Sequence, residues 1–174
     1  SGKRWDSSGI SLTLPKRSVD MIEDISLPGK PPSVLTVENK ETYYSLLDLS
    51  PPVIDCLIYT GGYPNTAVTK LLRLLAGQGG HFYHFGDLDP EGISIFFDVE
   101  RYTGRGLRPF SMSEAVYQTY VPYGYDLSSA AVAKLDGITD SRFTALAETM
   151  KTEARGVEQE VIDLKGCFSD GRVM

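Results

Sequence analysis

The stretch that most constrains this chain is His84-Phe85-Gly86-Asp87-Leu88-Asp89-Pro90-Glu91-Gly92, which sets three carboxylates (Asp87, Asp89 and Glu91) within five residues. An apolar and aromatic run, Phe82-Tyr83-His84-Phe85, leads into it, and an apolar helical pattern, Ile93, Ile95, Phe96 and Val99, leads out. That order reads as a buried strand, an acidic turn and a helix. In an open α/β sheet the carboxyl end of a strand is where ligands bind. Three anions this close repel one another, so either their pKa values rise or a cation neutralises them. Gly-Asp-x-Asp-Pro-x-Gly is more acidic than a turn and a cap require, so Asp87 and Asp89 are read as functional. Glu91 also suits the plain role of a first-turn carboxylate favoured by the helix dipole.

The surrounding pattern repeats strand and helix. Val34–Val37 is a β-branched apolar strand ending at Glu38-Asn39, followed by a helix with Tyr43, Leu46 and Leu47 on one face. Ile54–Tyr59 is a second strand; it ends in Thr60-Gly61-Gly62-Tyr63-Pro64-Asn65, and an amphipathic helix with Val68, Leu71, Leu72 and Leu75 runs to Gly77. His81–Phe85 is the third strand, Pro90–Tyr102 its helix, and Leu107–Phe110 a short fourth strand. Such alternation predicts βαβ units, hence an α/β fold with an open, mainly parallel sheet of about four strands flanked by helices and right-handed connections.

From Ser111 onward the expectation is helical: Ser113 capping a helix to Tyr120, a loop over Val121–Tyr125, a helix from Ser128 or Ser129 to Leu135, another over Asp140–Lys151 with Phe143, Leu146, Ala147 and Met150 inward, and a last one over Arg155–Leu164. Upstream, Ile10–Leu14 reads as a strand, Ser18–Ile25 as a short helix capped by Ser18, and Pro28-Gly29-Lys30-Pro31-Pro32 as a linker. The expected organisation is an N-terminal segment and linker over 1–33, the end of a preceding region, then a domain over 34–166 and a tail over 167–174. The chain has no initiator Met, and the expectation is a piece of a longer protein.

Composition narrows the function classes. The 174 residues suffice for one domain with its own core. No apolar run has the length of a membrane span, and Ser1-Gly2-Lys3-Arg4-Trp5 has no apolar core behind it as a signal peptide would. The two cysteines, Cys56 and Cys167, have the spacing of neither a metal knuckle nor a disulfide framework and read as buried thiols in a cytoplasmic protein. A net charge of −6 argues against a broad basic nucleic-acid surface, which a separate domain would then supply. There is no Gly-Lys-Ser/Thr phosphate loop and no Ser/His/Asp or Cys/His arrangement, and none of the tyrosines sits in a context that marks a nucleophile.

Glu38 follows its strand directly. If the first and third strands are neighbours, it points into the cavity of Asp87 and serves there as a metal ligand or as a general acid/base toward a phosphate ester. Gly61 and Gly62 end a strand and open a helix, where backbone N–H groups can hold a phosphate, although a simple tight turn explains them equally. Lys40, Lys70 and Arg73 are the candidate DNA contacts, with a solvated helix face as the plainer reading of the last two. His84 shares a strand face with Phe82 and reads as a satisfied buried histidine. Glu158-Gln159-Glu160 reads as the solvated face of a late helix, or as a distant contribution to the metal site through Glu160.

These residues resemble a Toprim domain, the metal-dependent fold of topoisomerases, bacterial primases and certain nucleases, whose pattern is a glutamate ending one strand and Asp-x-Asp, sometimes Asp-x-Asp-x-Glu, ending a later one. Glu38 matches the first, and Asp87, Asp89 and Glu91 the second. The closer likeness runs over about 34–164 and is to the C-terminal domain of the Wadjet anti-plasmid nuclease subunits (JetD), related to the A subunit of topoisomerase VI. It is carried by Val37-Glu38-Asn39, Thr60-Gly61-Gly62-Tyr63-Pro64, the acidic turn and Glu158-Gln159-Glu160. The resemblance implies a Mg²⁺-dependent nuclease, with Mn²⁺ as a substitute, that cuts double-stranded plasmid DNA beside an SMC-like motor complex. One such site cuts one strand, so double-strand cleavage implies a homodimer. Glu38, Asp87, Asp89 and Glu91 would be the metal ligands, and the first three the catalytic set. Two other readings remain open: a topoisomerase VI A-like transesterase whose attacking tyrosine lies elsewhere, and a non-catalytic Toprim docking module.

Overall fold

A computed structural model describes residues 16–25, 31–49, 54–104 and 106–168. The strand expected over 10–14 and most of the linker lie outside them. In chain order the first elements are α1 (Lys16–Asp20), β1 (Ser33–Val37), α2 (Lys40–Leu49), β2 (Cys56–Tyr59), α3 (Thr66–Ala76), β3 (His81–Phe85), α4 (Pro90–Thr103) and β4 (Arg108–Pro109). The four strands form one all-parallel sheet in the order β2-β1-β3-β4. Val34, Leu35, Thr36 and Val37 are all fully buried, as expected for a central strand covered on both faces.

The register of β1 on β3 positions the site. Thr36 faces His84 and Val37 faces Phe85, and the ladder runs one step further, with the Glu38 N–H donating to the Phe85 carbonyl at 3.1 Å. Glu38 and Gly86 therefore leave the sheet side by side, and both acidic segments emerge at the same edge.

Three local expectations are corrected. Ser18 lies inside α1 and does not cap it; the helix begins at Lys16 and stops at Asp20. Its buried residue is Val19, while Met21 is 81% exposed and Ile25 packs against the core from beyond the helix. The region over Val121–Tyr125 is a 3₁₀ turn (Val121–Tyr123) followed by a short strand, β5 (Tyr125–Asp126), after α5 (Glu114–Tyr120). The helix expected over Arg155–Leu164 does not form. Past α6 (Ser129–Lys134) and α7 (Thr144–Glu153), Ala154 turns into the left-handed region at φ 50° and closes α7. Arg155–Gly156 then becomes β6, antiparallel to β5. Val157 exchanges both backbone hydrogen bonds with Leu88 of the acidic turn, at 2.8 and 3.0 Å. Backbone groups that a helix would have used are thus spent on the turn. A 3₁₀ turn over Gln159–Val161 and α8 (Leu164–Cys167) complete the described chain.

The core joins the sheet to this C-terminal part. Phe96 packs edge-on against both His84 and Phe143, and Phe85 against Phe110. Arg142 links the layers by ion pairs to Glu100 (2.6 Å) and Asp140 (2.7 Å), with its guanidinium 4.9 Å from the Phe96 ring. Cys167 is buried and Phe168 stacks on Phe110 at 5.0 Å, so packing continues to the last described residue.

Candidate metal centre

Glu38 and Asp87 meet because β1 and β3 are adjacent. The Glu38 Oε2 atom lies 3.4 Å from the Asp87 amide nitrogen. At Gly86, between them in space, a Cβ would fall 2.8 Å from Glu38 Oε2 and 2.9 Å from His84 Nε2, so a side chain there would push on the Glu38 carboxylate. At Gly92 a Cβ would lie 2.2 Å from the Asp87 carbonyl oxygen, a clash with the backbone of the turn itself. The acidic turn thus requires glycine at Gly92, and a side chain at Gly86 would displace Glu38.

Burial, then the charge of Asp87, pushes Glu38 up to about 7; Asp89 and Glu91 add smaller repulsions. Burial likewise pushes Asp87 up to about 6, helped by the charges of Asp89, Glu158 and Glu160, against the lowering effect of the Gln159 backbone N–H. These are two carboxyl groups held above their ordinary range by lost hydration and by neighbouring carboxylates.

Asp89 carries a second job that the sequence reading discounted. It is the N-cap of α4, its Oδ1 accepting from the Gly92 N–H at 2.7 Å, while its Oδ2 accepts from the Tyr125 hydroxyl at 2.5 Å. Glu91 sits on the exposed first turn of α4 and pairs with Lys134 Nζ at 3.1 Å. Its hydrogen bonds to Tyr63 and Lys134 hold it below the usual carboxylate range. Glu91 is thus a rim residue with its charge already answered.

Gln159 lies in the Glu158-Gln159-Glu160 stretch that the sequence singles out, but its own role is not foreseen there. It is fully buried. Its N–H donates to Asp87 Oδ1 at 2.7 Å and its side-chain Oε1 accepts from the Asn39 N–H at 2.8 Å. One residue therefore ties the ends of β1 and β3 together. Glu160 reaches the neighbourhood through Asn39, whose Nδ2 donates to it at 2.5 Å. A glutamine between two glutamates carries no local signal for burial; only the pairing of Val157 with Leu88 brings it inside.

The remaining candidates are placed as follows. Gly61 and Gly62 both adopt positive φ (66° and 89°), which explains the glycine pair as a turn. The first N–H groups of α3 that such a loop might offer, those of Ala67 and Val68, are taken by the Asn65 side chain. Lys40 lies 6.0 Å from the Tyr44 ring. Lys70 Nζ donates to the Asp20 carbonyl, and Arg73 covers the Tyr102 ring at 5.0 Å. Tyr102 is near the far end of α4, roughly 20 Å of helix from Asp89, so Arg73 lies away from the acidic centre. His84 is buried with Nδ1 2.8 Å from the Thr36 hydroxyl, and burial pushes its imidazole down to about 3. The Thr36 hydroxyl lies within hydrogen-bond distance of both the Tyr83 carbonyl and His84 Nδ1, while Nε2 faces the Gly86 gap without a partner. The expected satisfied histidine is satisfied on one nitrogen only.

Among the described residues no group of three or more His, Cys, Asp or Glu side chains is arranged as a ready metal-binding cluster. Whether Mg²⁺ suits the site therefore rests on the donor chemistry. The available donors are all oxygen, and Mg²⁺ is commonly held by one or two carboxylates together with water and substrate phosphate. Two carboxyl groups destabilised by burial and by neighbouring carboxylates are those that a divalent cation would relieve. The residues fit the ion.

The family described as Wadjet protein JetD, C-terminal, matches residues 7–167. The Wadjet protein JetD of Bacillus cereus (strain Q1) is 35% identical over 138 residues, covering 75% of this chain. The chain spans 33% of that relative's length. No helix among the described residues is long and apolar enough to cross a membrane. With a match over almost its full length and a relative at this identity, the chain belongs to the JetD C-terminal family.

Proposed function

We propose that this chain is the metal-dependent, phosphodiester-cleaving part of a Wadjet-type anti-plasmid defence protein, with a Toprim-like centre built from Glu38, Asp87 and Asp89. The observation that carries the reading is the convergence of Glu38 and Asp87 from adjacent parallel strands, both held above the ordinary carboxylate range. Glu38, Asp87 and Asp89 would hold Mg²⁺, or Mn²⁺ in its place. When bound, the cation supplies positive charge to the scissile phosphate and to the oxygen that attacks it.

The residues themselves do the rest. Asp87 is fixed by the Gln159 N–H, which leaves its second oxygen to face the cation. Asp89 is fixed by the α4 N-terminus. Glu38, pushed up to about 7 with no cation beside it, would either complete the ligand set as a carboxylate or stand off the ion, take a proton from attacking water and return it to the leaving oxygen. Water is the attacking group in this reading. Burial leads the upward shift of both tyrosines that reach the rim, Tyr63 and Tyr125, and their carboxylate partners add to it, so neither phenol is set up as an anionic nucleophile.

Double-stranded plasmid DNA as substrate, an SMC-like motor complex as partner and a homodimer that pairs two such sites belong to the same proposal. The test is cleavage of closed circular plasmid by the full-length protein with its partners. Asp87→Ala and Glu38→Ala each abolish Mg²⁺-dependent cleavage while the variants remain folded by circular dichroism. Unchanged cleavage in either variant contradicts the assignment. A covalent protein–DNA adduct through tyrosine would favour the transesterase instead, and partner binding without cleavage under any metal condition would favour the docking module.

A further inference from the structure

We infer that Tyr125 is a positioning residue for the metal centre: its phenol holds Asp89 in the orientation that a divalent cation requires. The inference rests on the metal reading above and goes beyond it by assigning a part to β5, a strand the acidic motif does not include.

Four observations carry it. The Tyr125 hydroxyl donates to Asp89 Oδ2 at 2.5 Å, while Oδ1 is taken by the Gly92 N–H at 2.7 Å. Both oxygens are therefore fixed, and the carboxylate cannot rotate without losing one partner. Each oxygen keeps a second lone pair for a cation. The phenol is also built into place. Tyr125 pairs with Gly156 across β5 and β6, and a Cβ at Gly156 would fall 2.7 Å from the ring Cζ and 2.8 Å from the hydroxyl oxygen. The glycine thus opens the space through which the ring reaches Asp89. Next to Gly156, Val157 is bonded on both sides to Leu88, so the strand that seats the ring is locked to the turn that carries Asp89. Finally, the arrangement has a direction. With its proton committed to Asp89, the phenol acts as a donor, like the outer partners that orient carboxylate ligands in metal sites.

Loss of such a partner typically weakens metal binding by roughly 10-fold or more. The experiment is calorimetric titration of Mg²⁺ and of Mn²⁺ into this chain, beside urea unfolding without metal. Tyr125→Phe keeps the ring over Gly156 and removes only the hydroxyl; it is expected to bind both ions roughly 10-fold more weakly and to unfold in a single cooperative transition. Gly156→Ala, which displaces the ring, is expected to weaken binding in the same way, and to add nothing further in the Tyr125→Phe background. Tyr123→Phe, at a residue 72% exposed, leaves affinity unchanged. Equal or tighter binding by Tyr125→Phe in a wild-type chain that does bind the ions overturns this inference alone. A wild-type chain that binds neither ion overturns it together with the metal reading.

Discussion

Glu38 and Asp87 are acids whose folded-state pKa values are raised, and this fixes the sign of their effect on stability. A raised acid binds more protons in the folded than in the unfolded state between its two pKa values, so stability falls as pH rises through that window. For Glu38 the window runs from 4.5 to about 7, and for Asp87 from 3.8 to about 6. Each group contributes a slope of at most about 1.4 kcal/mol per pH unit, reduced by its partial exposure to solvent. The chain is therefore expected to lose stability from these two groups between pH 4 and pH 7, and Glu38→Gln to flatten the upper part of the curve. Urea unfolding across that range checks it; a wild-type slope in Glu38→Gln would contradict the assignment. Gly86→Ala gives a second test at this scale. Its Cβ would meet the free end of the Glu38 side chain, which can move, and His84 Nε2. The variant is expected to fold but to lose Mg²⁺ affinity, because Glu38 is displaced; titration calorimetry on the folded variant measures this.

At the scale of elements, the segment over 154–162 decides how well the site is held. β1 and β3 bring Glu38 and Asp87 to one edge, but it is Gln159 that clamps Asn39 and Asp87 across that edge. Gln159→Ala removes the acceptor of the half-buried Asn39 N–H, a loss of about 1 kcal/mol. The expected result is a loss of that size in urea unfolding together with weaker metal binding, whereas a purely solvated Gln159 would show neither. Arg142, bonded to Glu100, Asp140 and the Leu107 carbonyl, locks α4 to the segment that starts α7. Arg142→Ala is expected to cost about 2–4 kcal/mol of stability, since it strands partly buried carboxylates, with metal affinity unchanged once the protein is folded.

The elements that position the carboxylates were legible in the sequence for a physical reason. Apolar runs such as Val34–Val37 and His81–Phe85 are nearly continuous because central parallel strands are covered on both faces. Ser113 caps its helix in the expected way. The segment after Glu153 was not legible, because its apolar spacing suits a helix while its backbone is captured by Leu88 and Tyr125, far away in sequence. Tyr125 and Gln159 owe their places at the site to that long-range pairing, and local pattern carries no trace of it.

At the scale of the whole molecule, the sheet order β2-β1-β3-β4 places the Gly61-Gly62 loop, Glu38 and the acidic turn on three neighbouring strands, β2, β1 and β3, at one edge. Tyr63 from that loop reaches Glu91, and Lys134 from α6 reaches it from the other side. The acidic centre is thus framed by the β2 loop, the C-terminal hairpin and α6. The net charge is −6, and the chain spans a third of its B. cereus relative. The most direct test of the central claim is a Mn²⁺-soaked crystal read by anomalous scattering. The account predicts a peak between Glu38, Asp87 and Asp89 that is lost in Asp87→Asn. A peak elsewhere, or none at saturating Mn²⁺, would contradict it.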